Sequence, residues 1–453
     1  MVSKSLLSTS FKWLLILLPF IFIVTLISLY GVNTLFIDDF KPLFDFLRIK
    51  ESGIITWADL VKPVNEHRIV FPKLLIFIIA AFTHYNTKAM MFFSAFLIFC
   101  SYLIFARFVV GKKISDFTMS DSFYTFIFGM CLTSAVQYEN ILWGFQLAWF
   151  LIEFCVVLGL VFLGLYIQTS QKKYIFSALL IAFISSFSSL HGLAVWPCYV
   201  LTVIICQLSE RKFNKTIWFY ILFGALITFA LYFYNFNLSS QKLMPMAVSF
   251  KYAAIFVINT VGSVLMFRPI VMCLHCEATT NMHYIPYGIL IIILACFLIL
   301  HLIITKKVKN NILPIGCIIF GIGFSIMVGI GRSVQIGWGT PSRYTTYPLL
   351  TLIGVLALLK PYISFKHIKG ISCFCIFTAL MLMLTYSDAK NALYLPNFTA
   401  YRLSWQNKLL NYREEDLFYI KILNPDFKTR EDMASQIQKV ENARLSVFYR
   451  RDE

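Results

Sequence analysis

Two adjacent carboxylates, Asp38 and Asp39, follow the first long apolar run of the chain, and the polar run Asn65, Glu66, His67, Arg68 comes soon after it. Charged residues make up only 13% of the sequence, and ionisable groups kept beside a bilayer tend to serve a function. A carboxylate at the end of a span can act as general base toward a hydroxyl if its pKa suits the task. The same pair can instead end the span and cap the next helix. Arg68 offers a planar fork for phosphate oxygens, and His67 can donate or accept a proton near neutral pH. The run also reads as a helix start, with Asn65 as N-cap and Glu66 in the first turn, and the two readings are compatible.

Three later turns carry further polar groups. Gln137, Tyr138, Glu139 and Asn140 form one, where Glu139 can bind sugar hydroxyls or solvate a tight turn. Ser188, Ser189 and His191 form the next, without the GxSxG elbow of a serine nucleophile, so His191 reads as lining a polar cavity. Arg332, Arg343 and Tyr344 bracket GRSVQIGWGTPSRYTTY, whose glycines and Pro341 predict a loop that lets backbone approach a ligand. An arginine at a lipid interface suits a lipid-linked phosphate, although it can also snorkel to ordinary phospholipid. Glu153 is the one acidic residue well inside a predicted span. Cys273, His275, Cys276, Glu277 and His283 hold a single CxxC pair, which fits a local disulfide better than a zinc site.

The elements that must position these groups are membrane helices. The 453 residues are 59% hydrophobic and 17% aromatic, whereas soluble chains average about 45–50% apolar. Continuous apolar runs near the spanning length predict an all-α polytopic membrane protein and exclude a β-barrel. Spans are predicted at 13–30, 89–110, 122–136, 141–168, 174–187, 191–208, 216–236, 284–305, 312–331, 343–360 and 370–387, about 11 in all. Residues 69–83 are too short and too polar at their start to cross, and read as an interfacial helix. Residues 252–268 are expected to lie on the surface or re-enter.

The net charge of +17 does not point to nucleic acid, because Lys and Arg fall in clusters between spans. Those at Lys4 and Lys12, 107–113, 172–173, 211–215, 306–309 and 360–369 lie on alternate connections, which predicts a cytoplasmic N-terminus kept as a signal anchor. Residues 1–387 then form the membrane domain, with outer loops 31–88 and 237–283, and residues 388–453 form a small helical cap outside.

An acidic pair after the first span, a polar outer loop, an interfacial helix and many later spans together resemble the GT-C superfamily of integral-membrane glycosyltransferases. Size, composition and the small tail are similar to bacterial O-antigen-modifying, serotype-converting glucosyltransferases. The resemblance is topological over most of the chain and rests on motifs only over about the first 90 residues. It implies a bacterial inner-membrane enzyme that moves a sugar from a polyprenyl-phosphate donor to a glycan or lipid-linked glycan, with inversion, on the outer face. It implies Asp38 or Asp39 as base, and Glu66, His67, Arg68, Glu139, His191, Arg332, Arg343 and Tyr344 as substrate- or phosphate-binding candidates. No cofactor is required, although the acidic pair leaves room for a divalent ion, Mg or Mn, that some relatives use. Partners implied are membrane lipids, a donor-synthesising glycosyltransferase and a flippase. The rival readings are an O-antigen polymerase, which the long loop 237–283 keeps open, and a lipid-linked oligosaccharide flippase or other transporter, which Glu153 alone supports poorly.

Overall fold

The computed structural model describes residues 2–64, 67–236, 246–265, 284–336, 341–363, 368–411 and 430–449, with residues 2–8, 246–252, 332–336 and 430–431 described by backbone alone. Among them there is no strand, only an isolated antiparallel bridge between Val64 and His67. Helix α1 (Val2–Tyr30) leads to a 3-10 turn (Ile37–Asp39), then α2 (Phe40–Ser52), α3 (Trp57–Val61), α4 (Val70–Thr83) and α5 (Thr87–Val110). There follow α6 (Met119–Leu132), α7 (Tyr138–Ile141), α8 (Leu147–Thr169), α9 (Lys172–Ser186), α10 (Val195–Glu210) and α11 (Lys215–Phe233). The last helices are α12 (Met246–Gly262), α13 (Ile285–Ile304), α14 (Ile312–Ile336), α15 (Thr346–Leu359), α16 (Ile368–Leu410) and α17 (Arg430–Asn442).

Eight helices among the described residues are long and apolar enough to cross a membrane, in α1, α5, α8, α10, α11, α13, α14 and α16. The molecule is therefore built as an all-α multi-pass membrane protein. The other three predicted spans form shorter helices: α6, α9 and α15 have 14, 15 and 14 residues. Hydroxyl side chains end α6 early by competing for backbone hydrogen bonds. Thr133 Oγ1 donates to the Gly129 carbonyl at 2.9 Å and Ser134 Oγ accepts from Val136 N–H at 3.3 Å, so the chain passes into a 3-10 turn at Ala135–Gln137. Every residue of α15 is buried, which places it in the middle of the bundle.

Helix α4 has 14 residues, roughly 21 Å at 1.5 Å per residue against a hydrocarbon core of about 30 Å. Its Lys73 is fully buried, donating to Asp45 Oδ2 at 2.8 Å and to the Asp59 and Lys62 carbonyls at 2.9 and 3.1 Å. That lysine fastens α4 to α2 and α3. Helix α12, expected at the surface or re-entering, packs against α13 and α14 with Phe256, Val261 and Leu265 buried. The approach to α13 is close because glycines face each other: a Cβ at Gly262 would overlap the Tyr284 carbonyl, and one at Gly288 the Ile258 carbonyl.

At one end of the bundle, basic side chains join helix termini. Lys112 Nζ meets Asp121 at 2.9 Å, Lys360 reaches the same carboxylate at 4.0 Å, and Lys12 Nζ donates to the Phe117 carbonyl at 3.3 Å. The connections carrying Asp38, His67, Glu139, His191 and Arg343 leave the helices at the opposite end.

The boundary expected at 387 does not fall there. Helix α16 runs without a break to Leu410, with Pro396 inside it. Its buried positions Asp388, Asn391, Leu395, Phe398, Arg402, Trp405 and Leu409 recur three and four residues apart, so one face docks along its length. Residues 388–410 belong to the packed body rather than to a separate cap. Beyond them α17 buries Met433, Ile437 and Val440, and the Ser446 N–H donates to the His84 carbonyl at 2.8 Å beside a His84–Tyr449 ring stack.

Candidate active site

The acidic pair sits in a short 3-10 turn, and its two carboxylates differ in burial. Phe36 N–H donates to Asp39 Oδ2 at 2.9 Å while Asp39 N–H donates back to the Phe36 carbonyl at 3.0 Å. Trp143 Nε1–H donates to the same Oδ2 at 2.9 Å, and Tyr85 Oη–H to the Asp39 carbonyl at 3.1 Å. Asp39 is 1% exposed. Burial pushes its pKa up from 3.8 to about 7, against the pull of the buried Arg402 guanidinium and of the two N–H donors. Asp38 is half-buried, and its charge acts on His67 and Arg343 as well as on Asp39. Just before it Ile37 has φ +41°, a left-handed conformation that a β-branched residue avoids. Such positions cost about 1–3 kcal/mol and persist where surrounding contacts impose them.

The acidic pair does not present two carboxylates to one divalent ion, because Asp39 Oδ2 already takes two N–H donors in a buried setting. Among the described residues no group of three or more His, Cys, Asp or Glu side chains converges as a metal site. Glu66 and the Cys273–His283 cluster lie outside the described residues.

His67 is held by reciprocal backbone bonds to Val64, 2.8 and 3.0 Å. Its Nδ1 accepts from Leu190 N–H at 3.4 Å and lies 3.2 Å from Ser189 Oγ, which lies 3.2 Å from His191 Nδ1 as well. Since Leu190 N–H can only donate, the consistent assignment puts the His67 proton on Nε2, with Ser189 donating to His67 and accepting from His191. Burial pulls His67 from 6.5 down to about 4, opposed by the Asp38 charge, so the ring is neutral at pH 7. A histidine lowered on folding stabilises above its unfolded pKa and loses that stability as pH falls through its folded pKa. His67→Gln is therefore expected to flatten the decline of melting temperature between about pH 6.5 and 4. Unchanged pH-dependence in detergent melts would mean that His67 is not a buried neutral group.

His191 packs its ring against His67, Trp149 and Phe324, with centroids 5.2, 4.7 and 5.3 Å away. Tyr344 lies 6.0 Å from Trp149, whose other side is covered by the Tyr347 ring at 5.1 Å. These rings form an aromatic floor beneath the histidines. Arg343, beside Tyr344, keeps its side chain 34% exposed. Glu139 is buried, accepts from Arg343 N–H at 2.9 Å and pairs with its guanidinium at 3.6 Å. Glu139 thus anchors the arginine instead of facing open space.

Two arginines proposed from the sequence differ from that picture. Arg68 is 8% exposed, and its Nη1 and Nη2 donate to the Val61 and Tyr234 carbonyls, while its N–H donates to Tyr232 Oη. Its fork ties α3 to the end of α11 and is not presented to a phosphate. Arg332 lies in the last turns of α14, and its side chain is outside the described residues.

Other groups escaped sequence reasoning. Helix α16 clamps the segment before Asp38: Thr399 donates to the Tyr30 carbonyl at 3.0 Å, Gln406 to the Asn33 carbonyl at 3.0 Å and Trp405 to the Leu35 carbonyl at 2.7 Å. Arg402 is 1% exposed and lies 4.3 Å over the Phe36 ring, with Nη2 3.5 Å from the Thr34 carbonyl. Asp388 accepts from Ser134 Oγ at 2.6 Å and Ala135 N–H at 2.8 Å, pinning the turn that precedes Glu139. The three- and four-residue stripe along α16 was the available signal, with an arginine set among apolar positions.

Glu153, in α8, is fully buried with neither carboxylate oxygen hydrogen-bonded. It lies four residues, about one helical turn, along α8 from Trp149 of the aromatic floor. Searches of protein-family models and of curated proteins find no match to the chain.

Proposed function

We propose that the chain is a GT-C-like glycosyltransferase of the bacterial inner membrane. It moves a sugar from a polyprenyl-phosphate donor to a hydroxyl of a cell-surface glycan or lipid-linked glycan. The observation that carries this reading is the acidic pair itself: Asp39 is buried and bound by the Phe36 and Trp143 N–H groups, while Asp38 is half-buried and its charge reaches His67 and Arg343. An acceptor hydroxyl gives its proton to Asp38 as its oxygen attacks the anomeric carbon. The bond from that carbon to the phosphate oxygen breaks, and polyprenyl phosphate leaves with the electron pair from the opposite side, so the configuration inverts. Arg343, held by Glu139, offsets the phosphate charge. His67 and His191 hold the acceptor oxygen by hydrogen bonds, and the Trp149–Tyr344 floor supports a sugar face.

Counting α6, α9 and α15 with the eight longer helices brings the spans to about 11, their bilayer partly bridged by the 3-10 turns. The basic end then faces the cytoplasm and the Asp38 end the outside. A donor used there has to be made by another transferase and turned across the bilayer by a flippase.

Purified protein in lipid, given a radiolabelled polyprenyl-phosphate hexose and a lipid-linked acceptor, should transfer the sugar. Arg343→Met should lower kcat/KM for donor by roughly 10²-fold, with a smaller change in acceptor KM. If acceptor and donor suffer equally, the phosphate role is wrong. Ser189→Ala should cost less than about tenfold, since Ser189 only orients the two rings. A complete loss at Ser189, with the Asp38→Asn protein still active, would replace this reading with a covalent serine mechanism.

A further inference from the structure

A cavity of about 490 Å³ opens at the basic end of the bundle, among the C-terminal ends of α8 and α10, the start of α11 and Lys309. Helix α8 separates it from the candidate active site by its 23 residues, roughly 35 Å. Its lining carries Lys212, Lys215 and Lys309 and one acid, Glu210, so it is net positive. None of the three lysines is in an ion pair among the described residues. Ile167, Val203 and Ile217 give the lining an apolar wall. The helices on either side turn apolar side chains outward, Leu208 of α10 at 63% and Phe219 of α11 at 64% exposure. Beside the mouth, Trp218 stacks on Phe213 and donates Nε1–H to Gln207 at 3.0 Å, placing an amphipathic ring at the membrane–water boundary.

A free phosphate has no use for an apolar wall, and an acyl chain alone has none for the lysines. We infer that this cavity is a binding site for an anionic phospholipid, its phosphate against Lys212, Lys215 and Lys309 and its acyl chains leaving along α10 and α11. The volume lies within the roughly 300–1,000 Å³ of small-molecule sites, and basic pockets between membrane helices on the cytoplasmic side hold anionic head groups. The inference does not depend on the activity at the other end of the protein.

The test uses the full-length protein in nanodiscs of phosphatidylcholine doped with phosphatidylglycerol, with retained lipid read by native mass spectrometry. The wild type should keep phosphatidylglycerol in preference to phosphatidylcholine. Replacing all three lysines by Gln should cut that preference by about fivefold per lysine, about 10²-fold together. Ile167→Trp, which leaves every charge in place, should displace the lipid by filling the apolar wall. Three results overturn the site: equal retention of both lipids by the wild type, unchanged preference in the triple variant, or unchanged retention in Ile167→Trp. Competition by soluble glycerol 1-phosphate as effective as by phosphatidylglycerol would overturn the lipid assignment.

Discussion

Asp38→Asn is expected to lower sugar transfer by roughly 10²–10⁴-fold while leaving the protein folded, because it removes a general base without changing side-chain volume. Donor binding should change little, so the loss belongs in kcat. Asp39→Asn should behave differently. The amide oxygen can still accept from Phe36 N–H and Trp143 Nε1–H, which both bond one carboxylate oxygen, but the side chain loses the charge on which Arg402 acts, and an NH2 replaces the second oxygen in a buried setting. That variant should melt earlier and lose activity only through misplacement of the turn. Parallel transfer assays and melting curves separate the two. If Asp39→Asn is inactive at full stability and Asp38→Asn is active, the assignment of base is reversed.

Arg402→Met is expected to destabilise the protein by several kcal/mol, toward the lower part of the roughly 3–5 kcal/mol seen when one partner of a buried pair is removed. The lower part applies because Asp39 can take up a proton. Its carboxyl, raised on folding from 3.8 to about 7, binds the proton more tightly in the folded state. The stability linked to that proton is present below the unfolded pKa and lost as pH rises through the folded one. Arg402 pulls the folded value down, so its removal raises Asp39 further and extends the loss to more alkaline pH. The melting temperature of Arg402→Met should therefore fall further below wild type at pH 8 than at pH 5. Adding Asp39→Asn should recover much of the difference at pH 8. An equal deficit at both pH values would mean that Arg402 acts through packing on Phe36 alone. Activity should fall too, since the same arginine lies over the segment that leads into Asp38.

Hydropathy and charge, both local quantities, were enough to identify the helices and the two unlike ends of the bundle. An apolar run of spanning length has few alternatives in lipid, where backbone groups must be satisfied within the segment. Spacing likewise drew attention to Asp38, His67, His191 and Arg343. The roles of Arg68 and Glu139 were not legible in that way. Both are polar residues at turns, and only their partners distinguish a tether from a ligand: carbonyls at Val61 and Tyr234 for Arg68, the Arg343 backbone and guanidinium for Glu139.

Two neighbouring aspartates are equivalent to any local rule. They became different because Trp143, 104 residues further on, donates to one of them, and because Arg402 and Trp405 of α16 return to the segment in front of it. Helix α16 reads as a span followed by a polar tail, since hydropathy drops after residue 387 although the buried stripe continues to Leu409. The sequence by itself therefore determined a helical membrane protein with a polar, acidic loop at one end. Tertiary structure decided that Asp39 is buried and bound by Phe36 and Trp143 while Asp38 stays half-buried within electrostatic reach of His67, because the setting of a charge is fixed by donors and cations that arrive from distant parts of the chain.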